Sequence, residues 1–249
     1  MLQFNLFNSL RKSRNGLLYL HAVFIRHNTI KNVQLEILYQ DEHLVAINKP
    51  HGLLVHRTKL ANDADEFALQ ILRDQLEKRV FPMHRIDRKT GGVLLFGLNE
   101  EVHRMMQVEF AEKRVFKKYL AIVRGYTEDK GTIDYSLKRE NGTTQQAITN
   151  YSTLDRVDLD IPLGVHQTSR YSLLEVNPLT GRYHQIRKHL AHIHHPIICD
   201  RPHGCNKQNK MFKEKFGAFL EHVEEADELG YRLLWQGEPE DLQVVKYAG

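Results

Sequence analysis

Apolar positions along this chain fall into short runs separated by polar turns, and the period of the runs changes from strand-like to helix-like several times. Leu35-Glu36-Ile37-Leu38-Tyr39 and Leu44-Val45-Ala46-Ile47 predict two short strands joined by the polar turn Gln40-Asp41-Glu42-His43. Asn48-Lys49-Pro50-His51-Gly52 then turns the chain. Phe67, Ile71, Leu72 and Leu76 recur at helical spacing, which predicts an amphipathic helix over 65–79 with Pro82 just beyond its end. Val93-Leu94-Leu95-Phe96 reads as a buried strand, and Asn99 followed by Glu100 and Glu101 is a good helix start. Val102, Met105, Met106 and Phe110 would form that helix's buried stripe.

Lys118-Tyr119-Leu120-Ala121-Ile122-Val123 predicts a further strand closed by Gly125. Residues 126–170 are polar and turn-rich, with one strand expected near Ala147–Tyr151. Tyr171–Val176 resumes the sheet. Pro178-Leu179-Thr180-Gly181 then turns into a short helix on which Ile186, Leu190 and Ile193 share a face. Strands alternate with helices, yet several are adjacent in sequence, so the expected class is α+β with a mixed, mainly antiparallel sheet flanked by helices. No internal repeat or low-complexity tract is present.

Composition narrows the picture. The 249 residues, 41% of them hydrophobic, can build a sizeable core, and no apolar run reaches the roughly 18 residues of a membrane-spanning helix. The expectation is a cytoplasmic protein without a membrane anchor. Cys199 and Cys205 are too few for a disulfide scaffold and read as reduced thiols. The net charge of +4 conceals an asymmetry: residues 221–249 carry −6 and residues 1–220 carry +10. The basic share includes Arg79–Arg124, where ten Lys or Arg face five acidic residues, a distribution suited to phosphates and equally to a solvated surface. Residues 1–34 hold five basic and no acidic residues and read as a basic arm, an organellar targeting peptide or a poorly ordered extension, the last being favoured. The domain expectation is therefore an extension over 1–34, a catalytic domain over 35–220 and an acidic segment over 221–249.

The chemistry concentrates in His84-Arg85-Ile86-Asp87-Arg88-Lys89-Thr90-Gly91-Gly92. One carboxylate stands between two arginines on a Gly-ended turn, where neighbouring opposite charge favours its ionised form. Alone, such a residue is more often a turn aspartate in a surface ion pair. A second cluster, His184, His189, His192, His194, His195, Cys199, His203 and Cys205, is an inventory of zinc ligands, but its spacings match no common zinc pattern.

Taken in order, Asn48–Gly52 with Val55-His56, His84–Gly92, Lys117-Lys118-Tyr119 and Thr180-Gly181-Arg182-Tyr183-His184-Gln185-Ile186-Arg187-Lys188-His189-Leu190 resemble the RluA-type pseudouridine synthases from about Leu35 to about Gly217. Thr168–Tyr171, Arg187–His192 and Arg201-Pro202-His203-Gly204 look most like the branch that modifies a uridine in the T-stem of tRNA. The resemblance implies the pseudouridine synthase fold, tRNA as partner, no cofactor or metal, and a monomer. It also implies site residues. Asp87 is the catalytic carboxylate, Arg187 the arginine that pairs with it and Tyr119 the aromatic ring on the uracil. Arg85 fills the space left by the flipped nucleotide, and Arg88, Lys118, Arg182 and His184 are RNA contacts. The chain departs from the family pattern at Gly91, where many relatives have Ser, and at Cys199, where Gly is usual. It departs again beyond Gly217, where an amphipathic stretch of Phe212, Phe216, Phe219, Leu220 and Val223, an acidic run and a Tyr231–Trp235 strand replace the usual ending. An RNA-binding protein that has lost catalysis is the alternative this ending raises.

Overall fold

The computed structural model describes residues 34–57, 66–216, 231–234 and 243–246. The basic arm over 1–34 lies outside these except for its last residue, as do Phe219, Leu220 and Val223. The chain divides into two compact units between Val115 and Phe116.

In the N-terminal unit the expected hairpin is β1 (Glu36–Gln40) and β2 (Leu44–Lys49). The Asp41 carboxylate accepts from the His43 and Leu44 backbone N–H groups, each at 2.7 Å, which fixes the turn between them. With β3 (Phe81–Pro82) and β4 (Gly92–Gly97) they form an antiparallel sheet of order β1-β2-β4-β3. Helix α1 (Ala68–Leu76) covers one face, where Ala68 and Leu72 pack on Val45, Ile47, Leu94 and Phe96. Helix α2 (Glu100–Ala111), capped by Asn99 accepting from Val102 N–H at 2.9 Å, covers the other. There Val102, Met106 and Phe110 lie against Leu44, Ala46 and Leu95. Burial on both faces explains why β2 and β4 read as unbroken apolar runs rather than alternating ones.

The expected stripe on α2 needs one correction. Met105 is 50% exposed, and no residue of that helix is fully buried. Val102, Met106 and Phe110 form a row at intervals of four; Met105, three residues after Val102, falls on its solvent edge.

The C-terminal unit is a second antiparallel sheet, ordered β5-β10-β9-β6: β5 (Tyr119–Arg124), β6 (Lys130–Asp134), β9 (Ile148–Leu159) and β10 (Ser169–Pro178). The short β7 (Leu137–Lys138) and β8 (Thr144–Gln145) make a separate hairpin. On one face Ala121, Val123, Leu174 and Val176 pack with Leu190 of α3 (Gln185–His192). On the other, Ile122, Val157, Tyr171 and Leu173 pack with Met211 and Phe212 of α4 (Asn206–Phe216). Phe212 is 1% exposed and meets the Tyr171 ring edge-on, a burial worth about 2–3 kcal/mol. The stretch read as turn-rich thus holds the 12-residue β9, paired with β10 along nearly its whole length. Further along the chain, β11 (Tyr231–Leu234) pairs antiparallel with β12 (Gln243–Lys246). All these strand pairs are antiparallel, and each unit is a sheet flanked by helices, the α+β class the pattern predicts. Among the described residues no helix is long and apolar enough to cross a membrane.

Candidate active site

The 84–92 turn in the N-terminal unit is fastened at both ends. His84 opens it: its Nε2 accepts from Leu95 N–H at 3.2 Å and its ring stacks on Phe110 of α2. Gly92 closes it at the start of β4, opposite Lys49 in the register of β2. In between, the Thr90 N–H donates to the Asp87 carbonyl at 3.0 Å. The Arg88 carbonyl accepts from Gly52 N–H at 2.8 Å, and Arg88 Nε donates to the Gly52 carbonyl at 2.9 Å. The motifs Asn48–Gly52 and His84–Gly92, separate in sequence, therefore form one structure. Asp87 is half-buried, and Arg85 is exposed at its side. The charge of Arg85 is felt at His56, whose pKa is lowered by burial and then by that cation.

Lys49 is a residue to which the sequence alone assigns no role of its own. Its side chain is fully buried, and Nζ donates to the carbonyls of Pro50 at 2.9 Å, Leu53 at 2.8 Å and Arg88 at 3.2 Å. Three donors meet three carbonyls, so the ammonium is satisfied only while it is protonated. Burial pushes its pKa down to about 7, and the Asp87 carboxylate acts in the opposite direction. Lys49 thus ties the 84–92 turn to the loop after β2 and sets a positive charge within the electrostatic reach of Asp87. Its only signal in the sequence is its place at the end of the Leu44–Ile47 run, just before Pro50.

In the C-terminal unit Tyr119 begins β5, half-buried beside the core that includes Ile186 and Leu190. Arg187 lies on α3. Its guanidinium makes a bidentate pair with Asp200, Nε to Oδ2 at 2.8 Å and Nη2 to Oδ1 at 2.7 Å. The Asp200 side chain is 5% exposed. Burial alone would raise its pKa, but the hydrogen bonds and charge of Arg187, with the His203 backbone N–H, outweigh that and hold it below the ordinary carboxylate range. The sequence alone assigns no role to Asp200, which stands just before the downstream motif Arg201–Gly204. Gly204 explains another part of it, because a Cβ there would run into the Asp200 carbonyl.

The remaining expected RNA contacts already have protein partners. Lys118 pairs with Glu175 at 2.9 Å, and Arg182 Nε donates to the Gln146 carbonyl at 3.0 Å. His184 Nδ1 lies 3.0 Å from His203 Nε2. Two more histidines of the zinc-like inventory are also engaged. Buried His189 bridges the Thr149 hydroxyl and the Tyr135 carbonyl, with its pKa lowered first by burial, and His195 Nδ1 meets the Arg124 carbonyl. Among the described residues no three His, Cys, Asp or Glu side chains gather as a metal cluster would. Cys199 and Cys205 are both free thiols.

Two of the departures from the family pattern, Gly91 and Cys199, have a local account. At Gly91 an added Cβ would sit 3.5 Å from the Lys49 carbonyl and 3.7 Å from the His51 nitrogen, ordinary contacts that leave room for a serine. Cys199 has φ +65°, the left-handed region in which a side chain costs about 1 kcal/mol or more. Glycine is usual there for that reason. Cys199→Gly is expected to raise stability by up to about 1 kcal/mol, the relieved strain being partly offset by a more flexible unfolded chain. Urea unfolding measures this directly, and a lower midpoint would refute the strain.

The comparisons join this antiparallel α+β framework, with its carboxylate on a turn braced by a buried lysine, to a class, the isomerases of RNA uridines. The family model for RNA pseudouridylate synthase matches residues 43–192, and the chain belongs to that family. Its relatives include the tRNA pseudouridine synthase C of Vibrio parahaemolyticus, 46% identical over 195 residues that cover 74% of this chain and 79% of the relative. That of Haemophilus ducreyi is 47% identical over 195 residues, covering 74% and 80%. The fold is similar to that of human RNA pseudouridylate synthase domain containing 1, with a TM-score of 0.59 at 24% identity, over 72% of this chain and 73% of that one.

Proposed function

We propose that this protein converts a uridine in the T-stem of tRNA to pseudouridine, with Asp87 as the essential carboxylate. The observation that carries this reading is the match to the family over 43–192, a span that contains Arg85, Asp87, Tyr119 and Arg187, together with relatives named for tRNA. The reaction breaks the bond from N1 to C1′, turns the uracil and joins C5 to C1′. The proton lost from C5 is balanced by one gained at N1. Nothing is consumed, so the isomerisation calls for no cofactor or metal.

In this reading the target nucleotide leaves the helix stack at a cost of a few kcal/mol, and Arg85 fills the space it vacates. Tyr119 packs on the uracil, where a flat ring suits stacking and the phenol can donate a hydrogen bond. Arg187, gripped by Asp200, is the arginine that the family resemblance pairs with the catalytic carboxylate. Arg88, Lys118, Arg182 and His184 contribute to the RNA-facing surface, the first three by exchanging or sharing their present protein partners. Lys49 positions the turn. The protein works as a monomer in the cytoplasm, where tRNA is met.

Unmodified tRNA incubated with the protein and mapped by a site-resolved chemical method is expected to show pseudouridine in the T-stem. Product at another position would overturn the choice of target. Binding without product would favour an RNA-binding protein that does not catalyse.

A further inference from the structure

Helix α3 carries an aromatic and cationic strip that the proposed reaction leaves largely unused. At its start the Tyr183 ring stacks on His184 with centroids 3.7 Å apart and planes 22° apart, and Lys188 Nζ lies 5.5 Å from the Tyr183 centroid. At its end Tyr135 stacks on His192, 3.6 Å apart and 14° from parallel. His184, Lys188 and His192 are spaced by four residues, so they form one row along the helix surface. At 1.5 Å of rise per residue the row is about 12 Å long.

Both tyrosines present large surfaces to solvent, Tyr183 57% exposed and Tyr135 45%. Neither is loose. The His184 pedestal is fixed by its 3.0 Å contact with His203, and the Tyr135 backbone is held by His189 and by Ala147. An exposed ring would ordinarily be mobile or would turn its face inward; here each is braced flat on an imidazole. The helix Gln185–His192 contains no Asp or Glu, so nothing on it repels an anion.

We propose that Tyr183 and Tyr135, with Lys188 between them, form a strip that takes up an unpaired RNA segment, its bases stacking on the two tyrosines and its phosphate meeting the lysine. Two flat faces flanking one cation match the alternation of base and phosphate in a single strand. The strip rests on the reading that RNA is the substrate, and it adds a contact separate from the residues that act on the target uridine. Stacking tolerates any base because each has a π-face, so the strip contributes affinity rather than sequence choice.

The test measures binding of unmodified tRNA transcript to the full chain in an Asp87→Asn background, so that turnover does not change the ligand. Tyr183→Ala and Tyr135→Ala are each expected to raise Kd roughly tenfold, while the Phe variants stay within about twofold of the parent. Tyr→Leu at either position keeps apolar bulk without a flat face and is expected to lose as much as Ala. Lys188→Gln is expected to reduce the salt slope of binding by about one. Ala variants that bind like the parent, or Phe variants as weak as Ala, would overturn the strip. Polyglutamate displacing tRNA regardless of the rings would also overturn it, pointing instead to an acidic protein partner. Wild-type pseudouridine formation, measured in parallel, separates the two readings. Absent product with the ring effect intact sinks only the catalytic one, and product with no ring effect sinks only the strip.

Discussion

Asp87→Asn is expected to lower pseudouridine formation by at least about a thousandfold while tRNA still binds. Asparagine matches aspartate in size, and it leaves in place the backbone hydrogen bonds from Thr90 N–H to the Asp87 carbonyl and from Gly52 N–H to the Arg88 carbonyl. The turn should therefore keep its backbone form and lose the carboxylate charge. A second consequence follows at Lys49. The Asp87 carboxylate opposes the desolvation that lowers the Lys49 pKa, so without it the buried amine sheds its proton more readily. Release of tritium from tRNA labelled at uracil C5 measures the reaction, because that hydrogen is lost when C5 bonds to C1′. Release at the wild-type rate would sink the role given to Asp87.

Lys49→Met is expected to cost activity about a hundredfold with a much smaller change in stability. Two effects compete in the fold. The Leu53 carbonyl loses its donor, at a cost of about 1–3 kcal/mol, while the penalty for burying an ammonium disappears. These largely offset. The Arg88 carbonyl keeps the Gly52 N–H, so the turn survives but loses the tether from Lys49, and displacement of a catalytic group by about 1 Å can cost a hundredfold. Stability against pH gives an independent reading. In the unfolded chain Lys49 holds its proton up to its ordinary value of 10.5; in the folded protein it releases it at about 7. Between these values the unfolded state binds more protons, so this residue makes the protein more stable as pH rises, and its contribution is smallest below about 7. Urea unfolding of wild type at pH 7 and pH 9 should show that rise, and Lys49→Met should lack it. Equal slopes in the two proteins would refute the buried, shifted lysine.

How much of this was legible depended on where period and chemistry coincide. The β1–β2 hairpin, α1, the Asn99 cap and the Ile186–Leu190 face of α3 follow from spacing, because each has one apolar stripe and a recognisable end. β9 was mostly missed. Its inward residues begin with Thr149 and Tyr151 and end with Val157 and Leu159, while Ser152, Leu154, Arg156 and Asp158 face out. A long strand whose buried side changes sheet face across the register shift opposite Leu173 and Leu174, with a polar residue among its buried positions and an exposed leucine, does not stand out from a loop. The division at Val115 is equally silent, since Arg114-Val115-Phe116-Lys117 carries no glycine, proline or shift in composition. At the site, the motifs name Asp87 and Arg187, but no pattern separates a buried lysine from an exposed one. Only the fold brings three carbonyls around Lys49, and only the fold pairs Arg187 with Asp200.

Asn209 gives helix α4 a reach beyond packing. Its side chain accepts from Cys199 N–H at 2.9 Å and donates to the Asp200 carbonyl at 3.0 Å, so it spans the base of the loop that grips Arg187. Where the chain is cut from its C-terminal side thus matters in a stepwise way. A deletion that reaches Asn209 unfastens Asp200 and sets the arginine adrift, even though every residue of the recognised motifs is still present.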